Sequence, residues 1–181
     1  MGYYAGYGNS ANAHSPGVNN VGIGYQSSVS FISGSYNVAV GGNTLYNNQH
    51  GEYNVAIGQG AGDHATGSYN TFVGAEAGEG GTTSAPFSSG QNNVAVGYEA
   101  LKSFTTTGGI TAIGSYALTS NTSGTNTAVG YQALKDSTTN TQNTALGYNA
   151  GQNLTANNNV AIGHQATDNG TSATGNVSIG Y

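Results

Sequence analysis

Few side chains in this sequence could do chemistry. The 181 residues hold seven carboxylates (Glu52, Asp63, Glu76, Glu79, Glu99, Asp136 and Asp168), two lysines (Lys102 and Lys135), four histidines (His14, His50, His64 and His164) and no cysteine. Glu76 and Glu99 each stand two residues after a recurring glycine, Gly74 and Gly97. A glycosidase needs two acids about 5–10 Å apart in a cleft; we read this pair as solvated carboxylates on the outside of neighbouring repeats. The histidines fall at unrelated places, with no His-x-His or His-Glu-x-x-His spacing for a metal. Calcium-binding β-rolls need a regular Asp in each turn, which is missing here. No nucleophile has a base at a recognisable offset. Asn-x-Ser/Thr sites at Asn121, Asn153, Asn169 and Asn176 are what chance gives in so Asn- and Thr-rich a chain. The expectation is a protein that is not an enzyme, with no catalytic residue, cofactor or metal site.

Composition narrows the partners. Charged residues are 5% of the chain, against roughly 25% in an ordinary soluble domain. Two lysines and a net charge of −5 leave no phosphate-binding track for nucleic acid. No apolar run nears the roughly 18 residues of a membrane span, and no basic amphipathic segment suits a membrane surface. The first ten residues lack the basic and apolar regions of a signal peptide. Absence of cysteine excludes a disulfide framework.

What must position any site is a repeat. The glycines Gly8, Gly24, Gly41, Gly58, Gly74, Gly97, Gly114, Gly130, Gly147, Gly163 and Gly180 recur at intervals of 16 or 17 residues, except for one of 23. Before each anchor glycine come β-branched residues at alternate places, as in Val38 and Val40 or Val94 and Val96, which marks a short strand. After it come Ala and often Leu, as in Ala133 and Leu134, which we read as a second short strand or bend. Asn stands four before the anchor at Asn20, Asn37, Asn54, Asn70, Asn93, Asn126, Asn143, Asn159 and Asn176. Stacked coils would align these amides into a ladder that satisfies turn backbone. Tyr36, Tyr53 and Tyr69 suggest a short aromatic stack.

The pattern predicts a core of Val38, Val40, Val55, Ile57, Val94, Val96, Val129, Ile162 and their equivalents. The alternate column, Ala39, Ala56, Ala95, Ala112, Ala128, Ala145 and Ala161, would then face outward. A solvated face would carry charge or Thr, so this strip is expected to be an oligomer interface. The long interval places an insertion loop at 79–91, where Pro86 and Phe87 are the candidate contact residues, with a tolerated surface loop as the alternative. Residues 1–20 hold a degenerate coil with Tyr3, Tyr4 and Tyr7. The chain stops mid-repeat, so a segment of a longer fibre is expected.

Asn126–Leu134, Asn-Thr-Ala-Val-Gly-Tyr-Gln-Ala-Leu, resembles repeats of phage virion fibres. With Asn93–Leu101, Asn143–Gly151 and Asn159–Ala166 it is also similar to the Asn-Ser-Val-Ala-Ile-Gly repeats of trimeric autotransporter adhesin heads. Its period is longer than the adhesin repeat. The resemblance implies a left-handed β-roll assembled in threes.

Together these readings give an all-β protein. It is a parallel β-solenoid of about eleven coils over 1–181, expected as an intertwined or side-by-side homotrimer. The expected role is structural and adhesive, in a virion tail fibre or an adhesin at the cell surface. A host-surface glycan or protein is the expected external partner. Alternatives are an extracellular filament subunit stacked end to end, an ice-binding solenoid, against which the scattered Thr argues, and a glycan-cleaving tailspike.

Overall fold

The structure, a computed structural model, describes residues 17–81, 87–167 and 172–180. It is a parallel β-solenoid with no helix among these residues. Ten three-residue strands pair in chain order into one sheet: β1 (Val21–Ile23), β2 (Val38–Val40), β3 (Val55–Ile57), β4 (Thr71–Val73), β5 (Val94–Val96), β6 (Thr111–Ile113), β7 (Thr127–Val129), β8 (Thr144–Leu146), β9 (Val160–Ile162) and β10 (Val177–Ile179). Register is exact in sequence terms. Ala39 pairs with Ala56, Ala128 with Ala145 and Ala145 with Ala161. The first coil, with Tyr3, Tyr4, Tyr7 and Gly8, lies outside the described residues.

Each strand ends at its anchor glycine because the next coil passes too close for a side chain. The ten described anchors have φ between 125° and 138°, a region open to glycine alone. A Cβ at Gly58 would overlap the Gly74 carbonyl, and one at Gly130 the Gly147 carbonyl.

No second strand follows the anchor. The chain instead makes successive tight turns. In one coil Ala61, Asp63 and Ala65 donate to the carbonyls three residues back, Gly58, Gly60 and Gly62, at 3.0–3.2 Å. Positive φ at Gly60 and Gly62, and at Gln132 and Leu134 in another coil, is the type II signature. The turns still bond coil to coil: Asn43 N–H donates to the Tyr25 carbonyl of the coil before, and Leu45 N–H to the Ala61 carbonyl of the coil after. Leu45, Leu101, Leu118 and Leu134 hold φ of 48–52°, which costs a non-glycine residue roughly 1–2 kcal/mol. All four are fully buried, and burying a leucine returns roughly 1.5–3 kcal/mol.

The interior reverses the expected facing of the strands. Ala39, Ala56, Ala95, Ala112, Ala128, Ala145 and Ala161 are each 0% exposed and form the inner wall. Opposite them lie Ala61, Ala77, Ala100, Ala117, Ala133 and Ala150 with the buried leucines. The alanine column is therefore core and cannot be the interface. Val38, Val40, Val55, Val94, Val96 and Ile162 are only half-buried, as is Val129, and Ile57 is exposed. They face outward because a coil of 16 or 17 residues has a lumen too thin for two facing walls of Val and Ile.

One inner position breaks the rule and is compensated. Phe72 replaces alanine and is fully buried. At the position where four other coils carry leucine, the coil of Phe72 itself carries Gly78 and the coil before it Gly62. A Cβ at Gly78 would overlap the Phe72 ring, and one at Gly62 would lie 2.9 Å from it.

The asparagine ladder forms and is bonded in two ways. Each amide Oδ1 accepts the main-chain N–H of the next asparagine: Asn37 Oδ1 accepts from Asn54, Asn54 from Asn70, Asn126 from Asn143 and Asn143 from Asn159, all at 2.9 Å. In most coils Nδ2 donates to a carbonyl of the following turn, as Asn37 to Gly51 and Asn54 to Gly67 at 2.9 Å, whereas Asn159 and Asn176 donate to the preceding Asn157 and Ala173 carbonyls. Asn20 and Asn176, near the ends of the described chain, join the same ladder. Ile110, fully buried, interrupts it; its N–H donates to Asn93 Oδ1 at 3.0 Å, but its side chain has no oxygen to offer the next coil.

Two outcomes follow from this packing. Asn54→Ala strands the Asn70 N–H and the Gly67 carbonyl, and should lower stability by about 2–4 kcal/mol, measured by chemical denaturation. Gly78→Ala should destabilise by at least about 2 kcal/mol, and Gly78→Ala combined with Phe72→Ala should recover part of that loss.

Candidate functional site

With the alanines inside, the columns beside them become the outer surface. Ten strands present twenty outward positions: sixteen Val, Ile or Leu and four Thr (Thr71, Thr111, Thr127 and Thr144). None is charged. Ile57, Ile113 and Leu146 are 41%, 39% and 48% exposed. At about 4.8 Å per coil the strip is about 43 Å long.

Tyrosines stand just before and just after these strands. Tyr36, Tyr53 and Tyr69 stack with ring centroids 4.8 and 5.3 Å apart and nearly parallel planes. After the anchor, Tyr131, Tyr148 and His164 stack at 5.2 and 5.1 Å, and Tyr98, Tyr116 and Tyr131 meet edge to face. The second series is readable from the sequence, since Tyr25, Tyr98, Tyr131 and Tyr148 each follow an anchor glycine.

Glu76 and Glu99 do lie on adjacent coils, but bridged. Lys102 Nζ bonds Glu76 Oε2, lies 3.4 Å from Glu79 and 3.6 Å from Glu99, and all four side chains are partly exposed. The hydrogen bond to Glu76 holds the Lys102 ammonium above the usual lysine range, against partial burial, with the charges of the three glutamates adding to it. Tyr98 is pushed up to about 12, first by its hydrogen bond to Glu99. The geometry serves charge neutralisation: the cation sits among three carboxylates that would otherwise repel. The sequence carries the signal, because Lys102 is the only cation within one coil of the two glutamates.

The histidines stay apart. His50 Nδ1 meets Ser33 Oγ at 2.8 Å, His164 stacks on Tyr148, and His64 lies against Phe87 with centroids 6.0 Å apart; His14 is outside the described residues. Among the described residues no group of three His, Asp or Glu could hold a metal, and no helix is long and apolar enough to cross a membrane.

The insertion rejoins the coil firmly. Gly81 N–H donates to the Phe104 carbonyl at 2.8 Å before it. After it, Ser88 bridges Ala65, its N–H donates to the His64 carbonyl at 2.9 Å, and its Oγ donates to the Phe104 carbonyl at 2.8 Å. Phe87 is thereby half-buried against His64. Pro86 lies outside the described residues.

The Lys102 contribution has a defined pH range. Its raised value makes the ion cluster fully stabilising below the usual lysine pKa of 10.5 and lost as pH rises beyond it. Lys102→Gln should therefore cost no more than about 1 kcal/mol at pH 7. The difference from wild type should shrink in molar salt and above pH 11, as read by denaturant titration.

No family model, curated protein or solved structure matches this chain.

Proposed function

We propose that the chain is a shaft segment of an extracellular attachment fibre, a virion tail fibre or adhesin head, in which parallel copies pack through the outer face of the sheet. The observation that carries this reading is the uncharged aliphatic ladder, which leaves water in contact with sixteen Val, Ile and Leu side chains in two straight columns. Patches of this size mark association surfaces. The ladder repeats with every coil, so the partner best matched to it has the same rise per coil: another copy of this chain, in register.

Three copies suit it better than two. A strip about 43 Å long and about 10 Å wide offers roughly 430 Å², short of the roughly 800 Å² that each partner gives a standard interface. Around a threefold axis each strip touches two neighbours, and the flanking tyrosines extend the contact. Such an assembly transmits load along backbone hydrogen bonds and needs no catalytic centre, which suits mechanical reach.

Light scattering of the purified chain should give three times the protomer mass. Val96→Glu and Ile113→Glu should reduce it to one protomer, while retaining the strand signal in circular dichroism if the coil folds alone. Ala128→Glu, which points into the core, should instead abolish folding. A monomeric wild type would end the reading, and long polydisperse particles would favour end-to-end filaments.

A further inference from the structure

Beside the insertion lies a recess of about 300 Å³, at the lower end of small-molecule sites. It spans four successive coils. Gln26 and Asn43 line it from the second place after their anchors, and Asn47 and His64 from the sixth. Tyr46, Asp63 and Phe87 complete the lining. Gly60 follows Gln26 and Asn43 in the same column. It puts no side chain there, although Gln26, Asn43 and Glu76 adopt the same positive φ without being glycine. The missing side chain is therefore not demanded by the backbone.

Two polar atoms behind the surface of this recess have unused capacity. Asn43 Oδ1 and His64 Nδ1 are both buried and have no hydrogen-bond partner, a condition that costs about 1–3 kcal/mol per group and that a small side-chain shift toward a bound hydroxyl would relieve. Asp63 Oδ1 meets only a long contact from Asn47 Nδ2, at 3.4 Å. The lining mixes amides that both donate and accept with a carboxylate that only accepts. It adds the apolar surfaces of Tyr46 and Phe87. No lysine or arginine lines it, so nothing there attracts a phosphate, sulfate or other anion. Nor are its walls apolar enough for a lipid or a hydrophobic peptide.

We propose that this recess binds one pyranose ring of a neutral saccharide. Its hydroxyls, each donor and acceptor, would pair with Asn43, Asn47, Asp63 and His64. The C–H face of the ring would lie on Phe87, which Ser88 locks in place through its bonds to His64 and Phe104. The recess stands apart from the sheet columns. It rests on the fibre reading for its biological sense, by giving attachment a chemical target, but its physical test is separate.

Burial raises the Asp63 carboxyl above its ordinary range, Glu79 adds to this, and the neighbouring His64 opposes it. An acid whose folded pKa is raised destabilises the fold once pH exceeds the ordinary carboxylate range. Asp63→Asn should therefore keep or raise the melting temperature at neutral pH while weakening the ligand, which a purely structural carboxylate would not do.

The probes are methyl pyranosides of glucose, galactose, mannose and N-acetylglucosamine, with methyl glucuronide as the charged comparator, in saturation-transfer NMR on the intact chain. At least one neutral probe should bind with Kd on the order of 1 mM, and the glucuronide more weakly. Asp63→Asn and Phe87→Ala should each weaken binding about tenfold or more, with Asp136→Asn, on a distant coil, as the unchanged control. Asn43→Leu serves as the second variant if Phe87→Ala alters the loop. No transfer to any neutral probe at about 20 mM, equal binding by the Asp63 and Phe87 variants, or preference for the glucuronide would overturn the proposal. Light scattering on the same samples reports the assembly independently, so loss of either reading is distinguishable.

Discussion

The thinness of the lumen governs this fold. A coil of 16 or 17 residues closes around so little space that seven of the ten strands present alanine inward, and the one large inward residue, Phe72, needs glycine on the facing wall. The opposite wall must interleave alanine with an occasional leucine. Close packing tolerates neither voids nor overlap, so the larger β-branched residues have nowhere to go but outward. The apolar outer face and the volume exchange between Phe72 and the glycines Gly62 and Gly78 are two results of that shortage of room, while the anchor glycines answer a second one, the close stacking of coil on coil.

A thin core also leaves stability to be found elsewhere. Alanines bury little area each, at roughly 25 cal/mol per Å², and the surface is almost without ion pairs. Hydrogen bonds between coils must then carry a large share of the stability. The asparagine ladder does this at the corner where neither the strand nor the turn can bond the backbone. One amide accepts from the coil above and donates to a turn carbonyl, so each asparagine serves two otherwise stranded groups. Aspartate could not replace it, lacking the donor; leucine could fill the space but serve neither group. Ile110 shows the exception, trading the link for buried apolar volume.

Much of this was legible in the residues. The glycine period gave the coil, the strands and their register, and the asparagine column gave the ladder. Period two could not say which face of a strand points inward, because alternation is symmetric with respect to inside and outside. Ordinary burial preference favours Val and Ile as core, and it was overridden here by lumen width, which depends on how the turn folds. The residues alone left that segment open between a strand and a bend, because Ala-Leu after Gly130 or Gly97 is apolar and fits either. Leucine at positive φ has a weak sequence signal, since only burial makes it tolerable. The Glu76–Lys102–Glu99 cluster was half visible: the two acids share a column, but Lys102 reaches them from three places further along its own coil. The recess at Asn43 and Asp63 draws on four coils, and no single-column pattern could reveal it.

Several departures from the repeat lie together. Gly62, Phe72, Gly78, the insertion, Lys102 with its three glutamates, and Phe104 all fall between Gly58 and Gly114. In a solenoid each coil touches only its neighbours, so an irregular coil can be accommodated by changes in the coils beside it, with no effect further along. Phe72 and Phe104 meet at 5.8 Å inside the solenoid at the insertion, where the regular leucine is missing from two coils, and Lys102 neutralises the acids just outside. The compensations are thus as local as the defect. That locality lets an otherwise regular rod carry a specialised coil group at the insertion and its adjoining recess.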